Sequence, residues 1–218
     1  MKNYISKATL ALLVALSANG CSDFLDENLK CDLAPEFTYT CSYGFEVGYT
    51  GLYAQARSEY NTWGENGAFM HNAACPYEAL QIATDLATMG TKDGSIQPFG
   101  YLTLTPNTGI VGSYWNWAYS LIAGANEMLK YSEINTNWDN STDKALYQAE
   151  SRFFRAYAYR TLVYLYGDVP YVDKIQDQFR IDFTRTPKEE VIAHMVEDLQ
   201  FAVENLPTDP DAVKVGKL

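Results

Sequence analysis

Between residues 113 and 206, apolar side chains recur every three or four positions in three long runs. That period constrains the chain more than any other feature. The first run is predicted as a helix from Ser113 to Ser132. A loop over Glu133–Ser141 leads to a second helix, Thr142–Tyr166, on which Leu146, Ala149, Phe153, Ala156, Arg160 and Val163 form one stripe. Gly167 is placed to end it, and Pro170 prevents its resumption. The third helix opens on Thr186-Pro187-Lys188-Glu189, a capping box with proline at the first helical position, and Pro207 stops it. Ile192, Met195, Leu199, Ala202 and Leu206 are its expected buried stripe.

Trp115, Ala118, Tyr119 and Ile122 have the spacing of a tetratricopeptide first helix. Ala149, Phe153 and Ala156 have that of a second. The separation between them exceeds a standard unit, so any repeat has lengthened helices. A further helix is expected from Ser42 to Tyr60, with Phe45, Tyr49, Leu52 and Ala56 on one face. Gly44, Gly48 and Gly51 weaken it, so tertiary packing must hold it. Asn61–Gly112 is the least regular region, with one short helical stretch over Pro76–Met89. Tyr101–Thr105 alternates like an extended segment and ends at Pro106.

The first twenty residues read as a secretory signal, with Lys2 and Lys7 before an apolar stretch, Ala8–Ala18. Those eleven residues would rise only about 16 Å as a helix, roughly half a bilayer core. Ala18-Asn19-Gly20-Cys21 is similar to a lipobox, which makes Cys21 the expected lipid attachment site and places the mature chain on a membrane. Ordinary cleavage near Gly20 would instead leave Cys21 free for a disulfide. Residues 21–40 then form an acidic linker, and residues 41–218 the helical domain.

A net charge of −11 repels phosphate backbones, so nucleic acid is a poor partner. Four cysteines (21, 31, 41 and 75) contain no CxxC pair, and His71 and His194 are the two histidines, which argues against structural zinc. Cys31 and Cys41 are close enough in sequence to pair. Asn135, Asn137 and Asp139 have the spacing that opens a calcium loop, but Asn140 and Leu146 stand where its glycine and glutamate belong, so a helix-connecting loop is the better account.

Cys21-Ser-Asp-Phe-Leu-Asp26, Trp115–Asn126 (W-x3-Y-x2-I-x3-N), Glu150–Tyr159 with Tyr166-Gly-Asp-Val-Pro170, and Thr186–Glu190 with Leu206-Pro207 follow one another in the order found in SusD/RagB outer-membrane lipoproteins. The chain resembles that family over nearly its whole length. The resemblance implies an all-α scaffold of tetratricopeptide-like helix pairs with irregular loop insertions. It implies a lipid-anchored, surface-exposed protein at the outer membrane of Bacteroidetes-type bacteria. Such a protein binds oligosaccharide and passes it to a SusC-type TonB-dependent transporter, with no catalytic centre and no cofactor. Family members are more than twice this length, and the residues aligned with their next helix would be Gly216-Lys217, so the chain is expected to be an N-terminal portion.

The chain contains no HExxH, phosphate loop or G-x-S-x-G elbow. Sugar recognition instead needs a flat ring beneath a pyranose with amides and carboxylates around it. Trp63, Phe99 and Tyr101 lie in polar sequence beside Asn61, Asn66, Asp93 and Gln97, and are the candidate ligand contacts. Trp115 is expected in the core. Arg155 is expected to brace the helix pair, and His194 to lie on a solvated face. The competing function is a tetratricopeptide-type periplasmic or surface adaptor that binds protein or peptide.

Overall fold

A computed structural model describes residues 35–59, 81–82, 84–86, 98, 101–175, 178 and 180–209. Five helices lie wholly within these residues, in order α1 Pro35–Thr38, α2 Ser42–Arg57, α3 Gly109–Ile134, α4 Asp143–Tyr166 and α5 Lys188–Asn205. No helix among these residues is long and apolar enough to cross a membrane. The segment expected as linker thus already contains a helical turn at α1. The expected Pro76–Met89 helix falls almost wholly outside the described residues.

Helix α4 is the centre. Its start meets the end of α3 (Gln148 Nε2 donates to Ser132 Oγ at 3.0 Å), and its end meets the start of α3, where Trp115 and Tyr166 pack edge to face. Those pairs make α3 and α4 antiparallel. Arg155–Asp198 and Arg152–Phe201 contacts make α4 and α5 antiparallel as well. The core joins Phe45, Tyr49 and Leu52 of α2 to Trp117, Leu121, Ile122 and Met128 of α3. From α4 come Tyr147, Phe154, Ala158, Tyr159 and Leu162. Burial of such side chains is worth about 1.5–3 kcal/mol each, which offsets the glycine-weakened helix α2.

Two of those glycines have a further use. A Cβ on Gly44 would lie 1.7 Å from the Thr38 carbonyl oxygen, and one on Gly48 2.6 Å from the Tyr39 ring, so α1 and its exit can lie directly on α2. Tyr147 stacks between Phe45 and Tyr49, at 5.4 and 5.2 Å, and the Tyr49 hydroxyl bonds the Tyr147 carbonyl and Ser151. Burial pushes the Tyr49 phenol well above its ordinary pKa, so it stays a neutral donor.

Several expectations are corrected. Helix α2 stops at Arg57, and α3 starts at Gly109 and runs to Ile134. On α4 the buried phenylalanine is Phe154, while Phe153 is 40% exposed and Arg160 lies at the surface. The reason is that α4 is covered on three sides, by α2, α3 and α5, so no single stripe describes it. On α5 the buried line is Val191, Asp198 and Ala202. Ile192 and Leu199 are exposed beside Val196 and Val203. Among the described residues the Tyr101–Thr105 stretch is no strand. Tyr101 and Leu102 form a turn with Leu102 at φ 55°, and Thr103 N–H donates to the Pro98 carbonyl at 2.9 Å.

The Thr186 capping box does not form either. Thr186 N–H pairs with the Val169 carbonyl at 3.0 Å in an isolated antiparallel bridge, and the hydroxyl accepts from Tyr171 N–H at 3.3 Å. Its place at the α5 N-terminus is taken by Asp168, whose Oδ1 accepts the Lys188 N–H at 3.0 Å. Gly167, at φ 73°, supplies the left-handed turn that brings Asp168 there.

Candidate functional site

The motif residues of α3, α4 and the α4–α5 connection converge on Arg155. Its Nε and Nη2 donate to the two oxygens of Asp198, both at 2.7 Å, and Nη1 donates to Asn126 Oδ1 and the Asp173 carbonyl, both at 2.9 Å. Burial alone would lower the guanidinium pKa, but the Asp198 bonds outweigh it and hold the group charged. The bracing role expected for Arg155 is what this geometry performs.

The same cluster fixes the connection after Pro170. Asn126 Nδ2 donates to the Val172 carbonyl at 2.9 Å, the Tyr159 hydroxyl accepts Val172 N–H at 2.6 Å, and the Tyr119 hydroxyl donates to the Pro170 carbonyl at 2.7 Å. Tyr171 stacks on His194 at 4.3 Å, so His194 is half-buried rather than solvated, with Nδ1 3.2 Å from Glu197. Burial first, then neighbouring carboxylates against Arg155, raise the Tyr171 phenol to about 12.

Held this way, the connection leaves a cleft of about 410 Å3 against α3, walled by Trp115, Tyr119 and Ile122 on one side and Pro170, Val172 and Phe183 on the other. Trp117, not Trp115, is the core tryptophan: it is 2% exposed and donates through Nε1 to the Gln55 carbonyl at 2.8 Å. Trp115 is only half-buried because it lines this cleft. The amide of Asn126 is already committed to Arg155 and Val172. The cleft can therefore hold an apolar surface by contact but offers it few hydrogen bonds.

Of the residues expected to meet ligand, Tyr101 is 65% exposed at the turn that precedes α3. Trp63 and Phe99 lie outside the described residues, as do Cys21, Cys31, Cys75 and His71. Cys41 carries a free thiol immediately before α2. No group of three or more His, Cys, Asp or Glu among the described residues is arranged to hold a metal ion, the Asn135–Asp139 loop included. Sequence reading missed Asn126 and Asp168, although both stand inside the motifs, at the end of W-x3-Y-x2-I-x3-N and in the centre of Tyr166-Gly-Asp-Val-Pro170.

Residues 49–216 match the SusD-like family model described as starch-binding and associating with the outer membrane. The chain belongs to the SusD-like family. It is 32% identical over 211 residues to SusD-like protein P2 of Formosa agariphila, across 95% of this chain and 39% of that one. Among solved structures, a laminarin-binding SusD-like protein superposes with a TM-score of 0.62 at 22% identity, over 78% of this chain and 35% of the other. A crystal structure described with xylogluco-oligosaccharide gives 0.53 at 21% identity, over 74% and 31%. At these identities the likeness is one of fold, the helical tetratricopeptide-like scaffold. The chain spans about two fifths of the length of the curated relatives it matches.

Proposed function

We propose that this SusD-like chain binds a nutrient oligosaccharide at the bacterial surface and hands it to a SusC-type TonB-dependent transporter. The family match over residues 49–216 carries the reading. The names of the structural relatives, laminarin-binding in one case and paired with xylogluco-oligosaccharide in another, point to β-glucans as first ligands to try. Binding rather than catalysis fits the Arg155 cluster, whose Arg155 and Asp198 groups spend their hydrogen bonds inside the fold.

In this proposal Cys21 carries the lipid, and sugar meets the chain in the Asn61–Gly112 region. Tyr101, exposed on its turn, serves there with Trp63 and Phe99. The affinity should be weak, on the order of 10 µM to 1 mM, equivalent to about −4 to −7 kcal/mol. Calorimetry of the folded chain against laminari- and xylogluco-oligosaccharides tests this, with Trp63→Ala and Tyr101→Ala expected to weaken binding. A folded sample that binds no oligosaccharide refutes glycan binding by this chain. Unchanged affinity in both variants refutes the choice of rings. Alkyne fatty-acid labelling of cells that is lost in Cys21→Ala tests the anchor, and co-purification with a TonB-dependent porin tests the transporter.

A further inference from the structure

At the far end of α3 the chain forms a second cleft, of different chemistry. It measures about 550 Å3 and lies between α1 with its exit, Glu36–Thr40, and the end of α3 with the loop beyond it, Lys130–Asn137. The Trp115 cleft is almost wholly apolar. Here two tyrosines stand among a carboxylate, an ammonium and two amides. From Gly109 to Tyr131 the helix rises about 33 Å, so this cleft is well separated from the turn at Tyr101.

Its walls are held in place before any ligand arrives. Tyr39 packs between Phe45 and Tyr131, with ring centroids at 5.1 and 5.4 Å, and leaves Tyr131 as the outer, half-exposed ring. The Tyr131 hydroxyl donates to Glu36 Oε1 at 2.9 Å. A backbone hydrogen bond and then that hydroxyl hold the Glu36 carboxyl below the usual carboxylate range, so it is an anion and an acceptor.

The loop wall is equally fixed. Asn135 Oδ1 accepts Asn137 N–H at 2.9 Å, and the Asn135 carbonyl accepts the Trp138 indole at 3.1 Å. Trp138 is packed on Phe45 and Tyr147, and Asp139 N–H donates to the buried Ser42 hydroxyl at 3.0 Å. A preformed pocket of this size with a ring wall and convergent polar groups is the usual form of a small-ligand site.

We propose that this cleft is a second saccharide-binding site, in which a neutral sugar ring lies against Tyr131 with its hydroxyls at Glu36 and Asn137. Three features select that ligand class. The aromatic ring offers a face to C–H groups, and the Asn137 amide can both donate and accept as hydroxyls require, while the Asn135 amide is spent on the Asn137 backbone. Two carboxylates, Glu36 in the wall and Glu127 beside the Tyr39 and Tyr131 rings, stand against one cation, Lys130, so an anionic ligand is disfavoured and a neutral one is not. The ligand class rests on the saccharide-binding reading above, while the location does not.

The test is an NMR titration of the isotope-labelled full chain with laminarihexaose and with a xyloglucan heptasaccharide. Saturable shifts at Asn135, Asn137 and the Tyr131 ring are expected. Tyr131→Ala should weaken those shifts at least tenfold with unchanged helical circular dichroism, while Tyr101→Ala leaves them as they were. If Tyr131→Ala does not fold, Asn137→Ala, at an exposed position, carries the same expectation of weakened binding. Shifts confined to residues near Tyr101 would support the first site and overturn this one. Shifts at Tyr131 and Asn135 alone would support this one and remove Tyr101. No saturable shift at these residues with either sugar at millimolar concentration, or equal affinity in both cleft variants, overturns the proposal.

Discussion

Replacing Asp198 with alanine isolates what the Arg155 brace contributes. The fork loses both acceptors at 2.7 Å and keeps only Asn126 and the Asp173 carbonyl. The Arg155 side chain is 9% exposed and that of Asp198 5%, so water cannot take over at Nε and Nη2. Removing one partner of a buried pair leaves a desolvated charge and costs about 3–5 kcal/mol. With a urea m-value of about 2 kcal/mol/M, the unfolding midpoint should fall by roughly 1.5–2.5 M. Circular dichroism in urea measures it. Asp182→Ala is the control, because its partner Arg180 sits 2.9 Å away at the surface and the midpoint should not move. The pair Arg155→Met with Asp198→Leu should recover part of the loss, since neither charge remains, but not all of it, because Asn126 Oδ1 and the Asp173 carbonyl lose their donor. An Asp198→Ala midpoint within about 0.5 M of the parent would refute the argument that these groups are beyond the reach of water.

Other perturbations follow from the same packing. Glu150 is 4% exposed, its Oε2 has no hydrogen-bond partner among the described residues, and burial raises its carboxyl to about 7. The folded state therefore holds this proton more tightly than the unfolded state does. Its contribution is full below about pH 4.5 and is lost as pH rises to about 7, at most about 3 kcal/mol. Glu150→Gln should flatten that window and raise the midpoint at pH 8, and an unchanged pH profile would count against a buried acid. Phe154→Ala should cost about 3–5 kcal/mol through cavity formation, and Phe153→Ala, at a 40% exposed position, about 1 kcal/mol or less. Equal melting temperatures for the two would restore the original stripe. Asp168→Ala should cost about 0.5–2 kcal/mol by uncapping α5, with faster amide exchange at Lys188 as the local sign.

The helices could be read from sequence because their signals are local. The three-and-four spacing, Gly167 and the prolines mark where α4 and α5 run, and the structure agrees within a few residues at most ends. Which face of each helix is buried could not be read, because that depends on where the neighbours stand. Phe153 and Phe154 are both phenylalanine, and only the position of α2 relative to α4 decides between them. The cap of α5 failed for a related reason. Thr186 has the right residue type, but the chain brings Asp168 back from the end of α4, and a carboxylate at a helix N-terminus prevails over a threonine already bonded to Tyr171 N–H. The first candidate region could be named but not built, since Trp63 and Phe99 lie outside the described residues. The second cleft was missed because its polar wall reads as an ordinary asparagine-rich loop. What makes it a wall is Tyr131 and Tyr39, close in space and far apart in sequence.

The Arg155 cluster also explains why a helical scaffold of this kind keeps polar groups in its core. Apolar replacements can match a buried ion pair in stability. They cannot match its geometry. Arg155 reaches an acceptor on α3, one on α5 and one on the connection between α4 and α5, each at 2.7–2.9 Å. A slip of one residue along any of these elements moves its acceptor by about 1.5 Å or more and breaks the set. Leucine side chains would tolerate such a slip. The register of three helices and the path of the Pro170–Asp173 segment are thus specified together by one side chain. The Trp115 cleft takes its shape from that path, so a fault at Arg155 would deform that cleft as well as weaken the fold.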